Sequence, residues 1–335
     1  MTDKIIDDQI EDLTEKNHKK DKKNYLIHLG LFILTLVTTT IAGMELTTGV
    51  MNPFEFSDLL MGLPYSLSLL FILGVHEFGH YFATVYHKVK ATLPYFIPIP
   101  PIPGFFNFGT LGAVIRTKSA IYNNKAMFDI GIAGPLSGFI ACLIILVYGF
   151  THLPGKEYIL QIHPDFFSPD YGKGAIGLEF GNTLLFSFFK IVFTHPGEFF
   201  PPMSEIYHYP YLCVGWFGLF VTSMNMVPVG QLDGGHIVYS MFGGKTHEAV
   251  AGISMLILIG LGMLGFLDVY LELNIGFGWA GWLLWSFILY VIIKVKHPPV
   301  YIFDRLDKRR RILGWVSLFI LLISFSPTPF MISSL

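Results

Sequence analysis

The residues of this chain whose types and spacing suit chemistry gather in two short strings. The first is His76-Glu77-Phe78-Gly79-His80. Two histidines four apart on a helix project from one face, a turn from each other. That spacing lets both imidazoles reach one divalent ion, most often zinc, and leaves Glu77 beside them as a base for an attacking water. The second string is Asn225-Met-Val-Pro228-Val-Gly-Gln231-Leu232-Asp233-Gly234-Gly235-His236. A catalytic zinc takes three protein ligands, so the histidine pair needs a third. Asp233 is the leading candidate: it follows a helix break at Asn225–Pro228, and the glycines after it allow close backbone approach. Two alternatives stay open. Asp233 can instead cap the following helix, and His236 can serve as the ligand or as support behind one.

The elements that must position these strings are greasy. Hydrophobic residues make up 53% of the chain and charged residues 14%, against about 25% charge in a soluble protein. Mean hydropathy is +0.57. A polytopic, all-α membrane protein follows, and ionisable residues at membrane depth are functional until shown otherwise. The composition points to a lipid bilayer as the surrounding medium and to no nucleic-acid partner. Cys142 and Cys213 both lie in apolar stretches and read as filler, with no Cys-x-x-Cys pattern.

In chain order, residues 1–24 form a polar tail expected to be disordered and cytoplasmic, ending in a lysine cluster. Residues 25–62 hold a first span, Tyr25–Gly43, and an external interfacial loop. Residues 63–245 form the core that carries both strings. Its second span, Leu63–Tyr86, places His76 roughly 16–18 Å from either end at 1.5 Å per residue. Met127–Phe150 and Tyr209–Met226 are further spans, and Gly131 to Gly138 supplies small residues for close helix approach. Thr183–Phe193 is apolar but too short to cross. Residues 246–335 add Val250–Leu267, Ile275–Val295 and Ile312–Phe325, for about seven transmembrane helices in all.

One segment is neither helix nor simple loop. The prolines in Leu93-Pro-Tyr-Phe-Ile-Pro-Ile-Pro-Pro-Ile-Pro-Gly forbid a helix, and Gly109-Thr-Leu-Gly-Ala-Val-Ile-Arg-Thr117 reads as a strand. Together they make a short β-hairpin or re-entrant segment whose free edge suits an extended peptide. An ordinary connector is the equal alternative. Lysine and arginine crowd the loops that share a side with the N-terminus, and Asp and Glu dominate the others. The positive-inside rule then puts the N-terminus in the cytoplasm. The acidic first twenty residues suit neither a signal nor a transit peptide, which fits a bacterial inner membrane.

His76-Glu-Phe-Gly-His80 paired with Asn225-x-x-Pro228-x-x-x-Leu232-Asp233-Gly234 resembles the site-2 protease family of intramembrane zinc metalloproteases. The likeness covers roughly residues 60–245, including Gly112-Ala-Val-Ile-Arg116 and Ala133-Gly134-Pro135. It implies a zinc cofactor held by His76, His80 and Asp233. It implies Glu77 as catalytic base, and Asn225 in contact with substrate or the developing oxyanion. The expected substrate is a single-span membrane protein, cut within or near its transmembrane helix. Homo-oligomerisation or a regulatory membrane partner stays open. Gly138 departs from the family, where many members carry Asn, and the loop from Thr151 to His208 is too short for a PDZ module. The form is similar to a minimal, PDZ-free branch. Two rivals remain: a silent pseudoprotease that holds membrane helices, and a metal transporter. The absence of an internal repeat weighs against the transporter.

Overall fold

The computed structural model describes residues 2–49, 55–100, 107–172, 176–273 and 275–334. Among the described residues, ten α-helices and four short strands follow in the order α1 (Thr2–Thr48), α2 (Phe56–Tyr86), β1 (Tyr95–Pro98), β2 (Thr110–Val114), α3 (Asn124–Thr151), α4 (Lys156–Ile162), β3 (Ile176–Phe180), α5 (Leu184–Phe193), α6 (Pro210–Met226), α7 (Asp233–Phe242), α8 (Gly244–Leu271), α9 (Gly281–Ile288), α10 (Lys308–Ser324) and β4 (Phe330–Ser334). The chain is mostly helical, and four of these helices are long and apolar enough to cross a bilayer. They are Asn24–Thr48 of α1 and the whole of α2, α3 and α8. Exposed leucines, isoleucines and phenylalanines on α1, α2 and α8 give these helices a lipid-facing side.

Seven spans were expected, and three of them form the shorter helices α6, α9 and α10. The reason differs for each. α6 has 17 residues, most of them buried among other helices, so its ends are met by protein. α9 passes into a π turn at Leu289–Ile293, and its start is delayed by positive-φ glycines at 276 and 278. α10 begins at its Asp307 cap, whose side chain accepts from the Arg310 amide. The polar segment 2–23, expected as a tail, is continuous with α1. α2 is also longer than expected, because the helix runs through Pro64 back to Phe56. His76 is therefore twenty residues from its start and ten from its end. The histidine pair sits toward one end of the helix, not at its middle.

α2 and α3 form the centre of the bundle, and their contact is close. The Ser137 hydroxyl donates to the Val75 carbonyl across the interface at 2.9 Å. A Cβ on Gly79 would meet the Ala133 carbonyl oxygen at 2.6 Å. The small residues of 131–138 thus do the packing expected of them. Cys142 and Cys213 are free and buried, as filler should be.

The hairpin is present. β1 and β2 pair antiparallel, Tyr95 opposite Val114 and Phe96 opposite Ala113, with an irregularity between Phe96 and Pro98. Its tip lies outside the described residues. α1 holds it in place: Thr38 Oγ1 donates to the Gly109 carbonyl at 2.7 Å, and His28 bonds the Pro94 carbonyl at 3.0 Å. A second sheet pairs β3 with the C-terminal β4, and it seats Phe330 among Trp216, Phe220 and Trp279.

Candidate metal centre

Two elements converge on one point. α2 contributes His76 and His80 from a single face, and α7 contributes Asp233 from its first turn. The imidazole Nε2 atoms are 3.1 Å apart. Asp233 Oδ2 lies 3.5 Å from His76 Nε2, and Oδ1 lies 3.4 Å from His80 Nε2. Tetrahedral zinc with bonds of about 2.0–2.1 Å spaces its ligands about 3.3–3.4 Å apart. The donor set and its spacing therefore fit zinc. Both histidines are buried, so a dication here is held in a low dielectric that strengthens every contact it makes.

The approach of Asp233 is a product of the break after α6. Helix α6 ends at Met226, and the chain turns through Pro228 and Gly230, which takes φ of +55°. α7 then folds back so tightly that a Cβ on Gly234 would collide with the Met226 carbonyl. Leu232 takes the N-cap position and Asp233 the first turn beyond it. The side chain is directed to the histidines, and the capping alternative is set aside.

The imidazoles are oriented from behind. His80 Nδ1 bonds the Ile130 carbonyl of α3 at 2.7 Å, which fixes the tautomer and turns Nε2 toward the cluster. Glycines of α3 make the room. A Cβ at Gly134 would run into the His80 ring, and one at Gly138 would come within 2.9 Å of His76 Cβ. Gly138, the departure from the family pattern, is thus where His76 packs, and an asparagine there has no space in this helix pair.

Glu77 is buried, with Oε1 3.9 Å from His76 Nε2, and it shares its cavity with Ile115, just beyond β2. A cavity of about 600 Å³ opens on the cluster; Glu77, Asn225 and Gln231 line it together with Ala113, Val114 and Ile115 of the hairpin segment. The structure brings all five expected site residues to this one cavity. His236 borders it as well, but its Nδ1 is paired with His297 Nε2 at 2.8 Å, so it stands outside the three-residue cluster. Sequence reasoning missed His297, Ile115 and the Ile130 carbonyl. Backbone groups carry no residue signature, and only the His-Pro-Pro turn at 297–299 hinted at a fixed position.

Comparison with known proteins gives the same direction. Residues 64–265 match the sequence model described as Peptidase family M50. "Probable zinc metalloprotease EGY1, chloroplastic" of Oryza sativa subsp. japonica is 30% identical over 263 residues, 72% of this chain and 42% of the rice protein. "Probable zinc metalloprotease EGY2, chloroplastic" of Arabidopsis thaliana is 29% identical over 225 residues, 67% and 36% of the two chains. "Probable zinc metallopeptidase EGY3, chloroplastic" of the same plant is 29% identical over 243 residues, 68% and 39%. The chain thus spans about two fifths of the length of these relatives. No solved structure matches.

Proposed function

This chain belongs to Peptidase family M50, and from that premise we propose that it is a zinc metalloprotease that hydrolyses a peptide bond within or near the transmembrane helix of a membrane-anchored, single-span substrate. The observation that carries the reading is the cluster of two imidazoles and one aspartate in a membrane-type bundle, with Glu77 beside it at the same cavity. His76, His80 and Asp233 are the residues that would hold zinc. When bound, zinc supplies Lewis acidity that polarises the scissile carbonyl and makes water a stronger acid.

The protein's own groups do the rest. Glu77 accepts the proton of the attacking water and returns it to the departing amine. Its burial beside His76, on the wall of the cavity, keeps the carboxylate within reach of both. Asn225, a neutral donor on the cavity wall, stabilises charge developing on the carbonyl oxygen. A substrate helix must first lose its own backbone hydrogen bonds, because these shield its carbonyls. We take the edge of β2 as the place where the unwound segment docks, replacing the lost bonds with strand pairing. Water reaches the cavity past Gln231, which is exposed on its rim.

The sidedness we infer follows the basic residues: Lys88, Lys90, Arg116 and Lys118 flank the hairpin beyond the Tyr86 end of α2, which puts that end and the N-terminus in the cytoplasm. The relatives named are plant proteins, chloroplastic by name, which lends no support to the expected bacterial inner membrane; the loop charges support a sidedness and say nothing of which membrane.

The test is a model single-span substrate incubated with purified protein in detergent and in liposomes. Glu77→Gln should retain zinc and lose cleavage by about 10²–10⁴-fold, the range of a general base. His76→Ala should lose both. Undiminished cutting by Glu77→Gln would remove Glu77 from its role, and retained zinc in a His76→Ala/His80→Ala protein that still cuts would overturn the centre itself.

A further inference from the structure

A second convergence of ligand-type side chains lies at the far end of the bundle from the hairpin, where α1 ends and α6 begins. His163 follows α4, and Glu205 and His208 flank a 3₁₀ turn at Ile206–His208. In such a turn, residues three apart eclipse, so Glu205 and His208 face the same way. His163 Nε2 and His208 Nε2 are 3.0 Å apart. Glu205 Oε2 lies 3.7 Å from the first and 3.6 Å from the second. These edges resemble those of the His76, His80 and Asp233 cluster, and they bracket the spacing of about 3.3–3.4 Å expected around tetrahedral zinc.

The carboxylate gives an independent sign that something belongs between the three groups. The Glu205 side chain is 2% exposed. Its Oε1 accepts from the Tyr171 hydroxyl at 3.0 Å and from Ser204. Its Oε2 is buried, has no hydrogen-bond partner, and is aimed at the two imidazoles. A hydrogen bond from His163 to His208 satisfies the nitrogens but leaves that oxygen bare, and a buried unpaired acceptor is costly, more so if charged. His208 is set up as a ligand: its Nδ1 donates to the Thr47 carbonyl at 3.2 Å, which leaves Nε2 as the acceptor nitrogen, turned toward His163 and Glu205.

We propose that His163, Glu205 and His208 form a second divalent-metal site of the zinc class, separate from the proteolytic centre, which staples the loop after α4 to the turn before α6 and, through Thr47, to the end of α1. Two imidazoles and one carboxylate are a borderline donor set that suits zinc over magnesium or calcium. The half-exposed His163 leaves a coordination position facing solvent. Because α6 leads directly from this site to Asn225, the staple fixes the outer end of the helix whose inner end carries the catalytic loop.

The probe is zinc alone, added to full-length, metal-stripped protein in detergent, with bound metal counted by elemental analysis after desalting. Wild type should retain about two zinc ions per chain, His76→Ala/His80→Ala about one, and His163→Ala about one. The combined variant should retain none. In the His76→Ala/His80→Ala background, zinc should raise the unfolding temperature, and adding His163→Ala should weaken that zinc affinity at least tenfold. His163 is the least buried of the three, so its truncation disturbs the fold less than His208→Ala; Glu205→Gln, which keeps the shape and removes the charge, gives a second route. One ion in wild type with none in His76→Ala/His80→Ala overturns the second site. One ion in wild type that survives His76→Ala/His80→Ala but vanishes with His163→Ala supports it and overturns the first centre instead.

Discussion

Gly134 illustrates how much of the centre depends on atoms that are missing. A methyl group there has nowhere to go except into the His80 ring, and the ring cannot retreat because Ile130 holds its other nitrogen. Gly134→Ala should therefore tilt or displace the His80 imidazole, the proposed zinc ligand, without removing it. A misplacement on the order of 1 Å costs about a hundredfold in rate, so kcat/KM should fall about that much, with weaker zinc retention measured alongside. Gly252→Ala in α8 is the control, since a Cβ there meets nothing within 4 Å; activity and zinc should match wild type. Equal behaviour of the two variants would show that the space beside His80 is not needed.

The two short sheets have different duties at the scale of elements. β2 presents Ala113 and Val114 to the cavity next to Glu77, and the proposed docking of substrate uses its main chain. A proline at Ala113 removes one backbone donor from that strand. Cleavage of a model helix should fall at least about tenfold through KM, while zinc content holds, because main-chain pairing supplies affinity in strand addition. Unchanged KM would return the hairpin to the status of a connector. The β3–β4 sheet instead serves stability. Phe330 is partly buried against Trp216, Phe180 and Trp279, so Phe330→Ala should cost about 2–3 kcal/mol, below the full range for a buried Phe. The thermal midpoint should drop with zinc stoichiometry unaltered.

Across the whole molecule, the last helix reaches back to the centre through one arginine. Arg310 of α10 donates to both oxygens of Asp129 on α3, at 2.8 and 2.6 Å, and also binds Asp307. Asp129 Oδ2 in turn pairs with His87 just past α2 at 2.8 Å. Asp129 precedes Ile130, whose carbonyl orients His80. The fork geometry is one that lysine does not reproduce. Arg310→Gln should cost about 1–2 kcal/mol, less than a fully buried pair because both side chains are about a quarter exposed. Activity should fall together with stability. Arg310→Lys should recover only part of each, by thermal unfolding and by cleavage rate. Full recovery by lysine would reduce the contact to simple charge.

The membrane class, the histidine pair, Glu77 as base candidate and the second string at Asn225 to Asp233 were all legible in the order of residues alone. Helical spacing and turn-forming residues are local, and local constraints are written in adjacent letters. That order also marked the proline-rich hairpin and the small-residue face of α3. Tertiary structure decided what depends on groups far apart in the chain. It brought the Asp233 carboxylate within 3.5 Å of residues some 150 positions earlier and gave Gly138 its partner in His76. It seated His236 on His297 and gathered His163, Glu205 and His208 at the opposite end. Helix lengths were misjudged for the same reason: where a helix stops in a packed bundle depends on neighbouring protein as well as lipid, and hydropathy along the chain registers both as the same apolar run.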